Sequence, residues 1–121
     1  GAQAEQFSFY RIPKALFTEP NFRELSTDAK VLYGILLDRM SLSLKNQWLD
    51  AQNKVYIIFT VEEIMDALNC ANQKATRLMV ELEKQAGLIE RKRQGLGRPN
   101  LIYVKNFAAT INDKSCEKGD S

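Results

Sequence analysis

Apolar side chains recur at every third or fourth position between residues 26 and 44, a pattern that predicts an amphipathic helix. Ser26 is a favourable N-cap, and Asp28 suits the positive end of the helix dipole. Ile35 and Leu37 widen the apolar face beyond a single stripe, so we expect the helix to be either central to the core or covered by a second subunit. The regularly spaced apolar residues are Ala29, Leu32, Tyr33, Leu36 and Met40.

A continuous apolar run over residues 55–59 is typical of a buried strand. Thr60 ends the run and forms with Glu63 the capping box T-x-x-E, which predicts a helix over residues 61–68. Near the start of the chain, the aromatic and β-branched residues of segment 7–17 predict an extended stretch followed by a short turn of helix.

Another helix is predicted over residues 72–86, with Gly87 as its C-terminal stop. A strand over residues 88–94, a turn rich in Gly and Pro over residues 95–100 and a returning strand over residues 101–104 complete a hairpin. The apolar positions that define the helix are Ala75, Leu78, Met79, Leu82 and Ala86.

The order of elements over residues 60–106 is helix, tight turn, helix and hairpin, which is typical of a winged helix-turn-helix with a C-terminal β-hairpin wing. The expected fold class is therefore α+β, mainly α. We assign the domain to residues 7–107. Residues 1–6 are interpreted as a tag remnant or a disordered N-terminus, and residues 108–121 as a flexible linker to a C-terminal domain that this chain lacks.

The composition, with 121 residues of which 45% are hydrophobic and 26% charged, suits one globular domain. The apolar stretch 31–44 is too short and too charged to span a bilayer, and the polar start lacks a secretory signal, so we expect a cytoplasmic protein without a membrane partner. Cys70 and Cys116 are not spaced as metal ligands, and the chain has no histidine. Because no nucleophile and base are paired, we expect no enzyme activity and no catalytic residue. Because histidine and metal-ligand spacing are missing, we expect no metal, and we also expect no cofactor.

The net charge of +2 is unevenly distributed, since residues 88–106 alone hold five basic residues and one acidic residue. Arg91, Lys92 and Arg93 are consecutive, and because side chains alternate across a strand, Lys92 cannot share a face with both arginines. Arg98 lies in the turn, which can approach a sugar-phosphate backbone and place Arg98 in a minor groove. All four are candidate DNA-binding residues. The alternative is a charged edge hairpin that resists aggregation.

The outward side of the predicted helix 72–86 is polar and basic in its N-terminal half, where a recognition helix meets base edges. Arg77 can pair with guanine, and Gln73 or Asn72 with adenine. The alternative is a solvated face on which Arg77 and Glu81 form an i,i+4 ion pair. The candidate DNA-binding residues of this helix are Asn72, Gln73, Lys74, Thr76 and Arg77.

The chain resembles the N-terminal domain of the replication initiator protein A family of Gram-positive plasmids over roughly residues 9–107. The family often carries a serine at the start of the second helix of the motif, where this chain has Ala71, so Asn72 is expected to provide the cap or a contact instead. The matching stretches are FYRIPKALF, LSTDAKVLYGILLDRMSLS, VYIIFTVEEIMDALNC and QKATRLMVELEKQAGLIERKRQGLGRPNLIYVKNF.

The resemblance implies a plasmid replication initiator that binds double-stranded DNA at repeated origin sites (iterons), forms a homodimer through this domain and engages host replication proteins through a separate C-terminal domain. Our candidates for the dimer interface are the extra apolar residues on the wide face of helix 26–44 and the aromatic residues Phe7, Phe9 and Tyr10. Both sets could instead belong to the hydrophobic core. Two alternatives stay open: a winged-helix transcriptional regulator, and a winged-helix module that contacts only other proteins.

Overall fold

The computed structural model describes residues 8–109. The predictions of a tag remnant at residues 1–6 and of a linker at residues 108–121 lie outside the described residues, apart from positions 108 and 109, and so stay predictions. The elements are helix α1 (Ala15–Thr18), a 3₁₀ turn (Pro20–Phe22), helix α2 (Thr27–Lys45), helix α3 (Val61–Leu68), helix α4 (Asn72–Val80), a π-helical segment (Glu81–Gln85), strand β1 (Ile89–Lys92) and strand β2 (Leu101–Val104).

Helix α2 begins where its cap predicts, because the Ser26 hydroxyl accepts a hydrogen bond from the backbone N–H of Ala29 at 3.2 Å. It is the central helix of the core, and it packs against α3, α4, the π-helical segment and β2. This confirms the first of the two expectations for its wide apolar face. The largest fully buried side chains include Leu32, Tyr33 and Leu36 of α2, Ile64 of α3, Leu78 of α4 and Ile102 of β2.

The N-terminal segment passes closely over α2 at Gly34. A Cβ at this position would lie 2.8 Å from Cγ1 of Ile12 and 3.0 Å from the carbonyl oxygen of Arg11, so a larger residue would push the segment away. Residues 8–13 contain no regular helix or strand, and α1 follows as the predicted turn of helix. The N-terminal segment therefore covers part of the α2 face that was also a candidate for contact with a second subunit.

Helices α3 and α4 form the helix-turn-helix. The predicted capping box is present, since Thr60 Oγ1 accepts from the Glu63 N–H at 3.2 Å and Glu63 Oε1 accepts from the Thr60 N–H at 2.9 Å. Asn69 ends α3 in the left-handed conformation, with φ of 53°. Of the two roles expected for Asn72, capping is wrong, because Ala71 is the N-cap and has no side chain that can cap. Asn72 is exposed as the first helical residue, and its role as a contact stays a prediction.

The apolar run 55–59 is not a regular strand, which corrects the sequence prediction. It makes only isolated bridges, from Val55 to Leu49 and from Ile57 to Ile102. Ile57 and Ile102 exchange two backbone hydrogen bonds of 2.9 Å. The run is apolar because Ile57 and Phe59 are buried in the core, and burial of these side chains does not require a continuous ladder.

The predicted helix 72–86 is α-helical only as far as Val80. The chain then widens into a π-helical turn, in which the Ala86 N–H donates to the Glu81 carbonyl at 3.0 Å, and the Leu88 N–H donates to the Leu82 carbonyl at 2.8 Å. The wider turn keeps Leu82, Ala86 and Leu88 buried together, a result of tertiary packing that a regular 3.6-residue spacing does not encode.

The hairpin is present, with β2 at its predicted bounds and β1 shorter than the predicted strand 88–94. Strands β1 and β2 pair antiparallel, which confirms a mainly helical α+β winged helix-turn-helix. We call β1, β2 and the turn between them the wing. No helix within residues 8–109 has the length and apolar character needed to cross a membrane.

Candidate nucleic-acid interface

The outward face of α4 is polar and exposed, opposite the buried Ala75, Leu78 and Met79. The structure brings the predicted contact residues of α4 onto this face, with Lys74 half-buried at its edge. The exposed members are Asn72, Gln73, Thr76 and Arg77.

Arg77 has the most accessible charge on this face, with 64% of its side chain exposed. Its Nε lies 3.9 Å from Oε2 of Glu81, so the predicted i,i+4 pair exists but is long. The Glu81 carboxylate is held instead by Ser26, whose backbone N–H donates to Oε1 at 2.8 Å and whose hydroxyl donates to Oε2 at 3.0 Å. Glu81 therefore joins α4 to the start of α2, and Arg77 keeps a largely solvated guanidinium.

Lys74 differs from Arg77 because its ammonium is paired. Its Nζ lies 2.5 Å from Oδ2 of Asp28 in the first turn of α2, and the two side chains are 43% and 50% exposed. A cation in such a pair must leave or share its carboxylate before it can contact a phosphate. Sequence reasoning considered Asp28 only for its favourable interaction with the helix dipole.

The strand register places the basic residues of the wing on different faces. Arg91 pairs with Ile102, and Lys92 pairs with Leu101. Arg91 is half-buried on the side that carries the buried Ile102, whereas Lys92 is exposed on the opposite side. This confirms that Lys92 does not share a face with Arg91.

Arg91 is bound to Glu83 of the π-helical segment. Its Nε and Nη2 both donate to Oε1 of Glu83, at 3.0 Å and 2.7 Å. Burial alone would raise the pKa of Glu83, but the hydrogen bonds and the charge of Arg91 outweigh burial and hold that pKa below its usual value. Sequence reasoning missed Glu83, since no local pattern connects a glutamate on a helix to an arginine on the strand that follows.

The turn of the wing is shaped by two glycines with positive φ, 115° at Gly95 and 76° at Gly97. The Arg98 N–H donates to the Gly95 carbonyl at 3.3 Å, and the Gln94 side chain donates to the Pro99 carbonyl at 2.8 Å. These bonds hold the turn closed while leaving its side chains outside. Leu96, between the glycines, is fully exposed, and sequence reasoning did not single it out.

Arg93 and Arg98 flank this turn and are both exposed. Within residues 8–109 no carboxylate lies within 4.0 Å of the basic group of Lys92, Arg93 or Arg98. Because these three side chains need not break an internal ion pair, they are the cations of the wing most available to a polyanion.

The base of the wing is anchored at two tyrosines. The hydroxyl of the buried Tyr33 donates to the carbonyl of Lys105 at 2.5 Å, and burial raises the pKa of Tyr33 to about 12, with a backbone hydrogen bond from Phe107 acting in the opposite direction. Tyr103 donates to Oδ2 of Asp50 at 2.8 Å, and this bond raises the pKa of Tyr103. The end of β2 is thereby tied to α2 and to the loop before residue 55.

Of the three aromatic residues predicted to form a dimer interface, two lie within the described residues. Phe9 and Tyr10 are 77% and 57% exposed, while Phe7 lies outside the described residues. At the far end of α2, Leu42 and Leu44 are also exposed. The predicted interface stays a prediction. Within residues 8–109, no group of three or more His, Cys, Asp or Glu side chains is placed to hold a metal ion.

A family model described as the replication initiator protein A (RepA) N-terminus matches residues 8–118 of this chain. A curated relative from Lactobacillus helveticus, a 41 kDa protein, is 32% identical over 103 residues. The match covers 85% of this chain but only 28% of that relative, so the chain spans little more than a quarter of its length.

Three solved structures are similar to this chain over nearly its whole length. One, "N-Terminal domain of DNA binding protein", is 36% identical with a TM-score of 0.76, covering 99% of this chain and 93% of its own. A second, "Structure of Rep-DNA complex", is 35% identical with a TM-score of 0.74, covering 99% and 94%. A third, "Structure of MDR initiator", is 38% identical with a TM-score of 0.71, covering 94% of each.

Proposed function

We propose that this chain, which belongs to the family of replication initiator protein A N-termini, binds double-stranded DNA sequence-specifically at repeated sites of a plasmid replication origin and takes part in initiating replication. The observation that carries the proposal is that one winged helix-turn-helix has both an exposed polar face on α4 and wing cations without a carboxylate partner within residues 8–109. A similar structure named as a Rep-DNA complex supports duplex binding. Family membership supports an origin as the DNA target.

In this proposal α4 is the recognition helix and lies in the major groove, where its exposed N-terminal half reaches base edges. Arg77 is suited to donate two hydrogen bonds to guanine, and Gln73 or Asn72 to pair with adenine. The attachment of Glu81 to Ser26 supports this role, because it holds the end of α4 while leaving Arg77 solvated.

The wing contacts the adjacent backbone and minor groove. Lys92, Arg93 and Arg98 neutralise phosphates or enter the groove, and such contacts position the domain without reading sequence. Leu96 is close to Arg98 in sequence and fully exposed, so it can rest against the sugar edges of a minor groove, where architectural proteins place apolar side chains.

The remaining parts of the proposal follow from the family. A homodimer would match repeated half-sites, and a C-terminal domain outside this chain would engage host replication proteins in the cytoplasm. The domain itself carries no enzymatic role. Sedimentation of the 121-residue chain with and without duplex tests the dimer, and a strict monomer in both conditions would contradict it.

Titration of the chain against the origin repeats of its own plasmid, and against a scrambled duplex of equal composition, tests the main proposal. We expect tighter binding to the repeats and a loss of affinity on both duplexes as salt rises, because each neutralised phosphate contributes about 0.9 to the salt slope. Equal affinity for the two duplexes would refute sequence-specific binding, and an affinity that does not change with salt would refute binding through phosphate contacts. Salt-dependent binding without loss of plasmid replication on gene deletion would favour the transcriptional regulator.

A further inference from the structure

Among the four predicted wing cations, Arg91 is the only one that forms an ion pair with a carboxylate within residues 8–109. Its Nε and Nη2 meet a single oxygen of Glu83 at 3.0 Å and 2.7 Å, and the two side chains are only 26% and 18% exposed. The exposed Lys92, Arg93 and Arg98 have no such partner within residues 8–109. Arg91 therefore differs from Lys92 and Arg93, its neighbours in sequence, in having its charge neutralised by a partner within the protein.

The pair joins the two elements that we propose to touch DNA. Glu83 belongs to the π-helical segment that continues α4, and Arg91 belongs to β1 at the base of the wing. From Arg91 to Gly95 an extended chain covers about 13 Å, so a rotation of about 10° at the base would move the turn by about 2 Å. A displacement of that size is enough to break hydrogen bonds to a phosphate.

We infer that Arg91 and Glu83 are positioning residues that fix the direction of the wing relative to the recognition helix, and that Arg91 makes no phosphate contact. This inference rests on the proposed function and replaces the direct contact predicted for Arg91. A direct contact would require Arg91 to abandon both hydrogen bonds and leave the poorly exposed Glu83 carboxylate without its counter-charge, which is unfavourable. Lys92, Arg93 and Arg98 reach phosphates without that loss.

The variant Glu83→Gln separates the two roles because they predict opposite signs. Removing a negative charge beside DNA and releasing Arg91 would tighten binding if Arg91 were a phosphate contact. If the pair positions the wing, Glu83→Gln weakens binding, and the salt slope falls by up to about 2.7 as Lys92, Arg93 and Arg98 lose their phosphates, at about 0.9 each. The matched control is Glu90→Gln, which removes the same charge from an exposed carboxylate of the wing, 3.8 Å from Lys105. This control should bind slightly more tightly, with an unchanged slope.

The exchange Glu83→Arg with Arg91→Glu rebuilds the pair with its charges reversed. We expect affinity and salt slope to return most of the way to those of the unaltered chain, although position 91 is then negative and cannot hold a phosphate. Each variant is measured on a duplex that the unaltered chain selects from a random pool, alongside its thermal unfolding, so that loss of folding is seen separately.

Tighter binding by Glu83→Gln, or a folded exchange variant that stays as weak as Arg91→Glu alone, would overturn the inference. Absence of salt-dependent duplex binding by the unaltered chain would instead overturn the proposed function. The two failures are therefore distinguishable in one set of titrations.

Discussion

Replacing Asp28 with asparagine is expected to tighten the binding of this chain to duplex DNA. In the free protein the Asp28 carboxylate lies 2.5 Å from the ammonium of Lys74, a predicted contact residue on α4. Lys74 must give up or share that carboxylate to reach a phosphate. Asp28→Asn removes the competing charge and also one source of repulsion near the DNA.

The size of the gain follows from the exposure of the pair. Because the two side chains are 43% and 50% exposed, the pair contributes only about 0.2–1 kcal/mol. Affinity should therefore rise by about 1.4- to 5-fold. If Lys74 then adds a phosphate contact, the salt slope should steepen by about 0.9.

The same substitution should lower the stability of the free domain. Asp28 lies in the first turn of α2, where a negative charge interacts favourably with the helix dipole, so its loss costs about 0.3–1 kcal/mol of unfolding free energy. Tighter binding combined with lower stability is not expected from a general disturbance of the fold.

Fluorescence anisotropy on an end-labelled duplex at several salt concentrations measures the affinity, and urea unfolding measures the stability. Asp38→Asn is the matched control, since it removes the same charge from an exposed residue of the same helix, about 15 Å further along the axis and beyond the Debye length of about 10 Å at 0.1 M salt. Equal or weaker binding by Asp28→Asn would refute the reasoning. So would a gain over Asp38→Asn that persists when Lys74 is replaced by glutamine.

Arg77→Ala should weaken binding to the preferred duplex by about 1–3 kcal/mol and relax base preference at one position, whereas an equal loss on scrambled DNA would assign Arg77 to a phosphate. Arg98→Ala should lower the salt slope by about 0.9 in the same titrations, and an unchanged slope and affinity would remove the wing turn from the interface. Tyr33→Phe should lower the unfolding free energy by about 1–3 kcal/mol, because the Lys105 carbonyl loses its donor. Since folding raises the pKa of Tyr33 from 10.0 to about 12, its contribution to stability is complete below pH 10 and is lost as the pH rises through 12. Urea unfolding should show this alkaline loss in the unaltered chain and a smaller loss in Tyr33→Phe, in which Tyr103 still has a raised pKa; equal alkaline losses would contradict the assignment.

Much of the fold was predictable because its signals are local. Ser26 caps α2, Thr60 and Glu63 form their capping box, and β2 has its predicted bounds. Each of these features depends on residues within one turn of helix or one strand. The separation of Lys92 from Arg91 is equally local, because adjacent residues of a strand point to opposite faces.

The errors occur where packing overrides a local pattern. Residues 55–59 look like a strand because Ile57 and Phe59 are buried, yet burial and ladder formation are separate requirements. The helix that starts at Asn72 leaves α-helical geometry after Val80, because the chain must bury Leu82 and Leu88 together.

By itself the sequence determined the winged helix-turn-helix, the two elements that carry the basic and polar residues, and the resemblance to a family of replication initiators. Only the tertiary structure decided which of those residues are available. Lys74 is paired with Asp28 and Arg91 with Glu83, while Lys92 and Arg98 are free of carboxylates within residues 8–109. The physical reason is that an ion pair depends on the distance between two side chains in space, and folding brings together partners that the order of residues keeps apart.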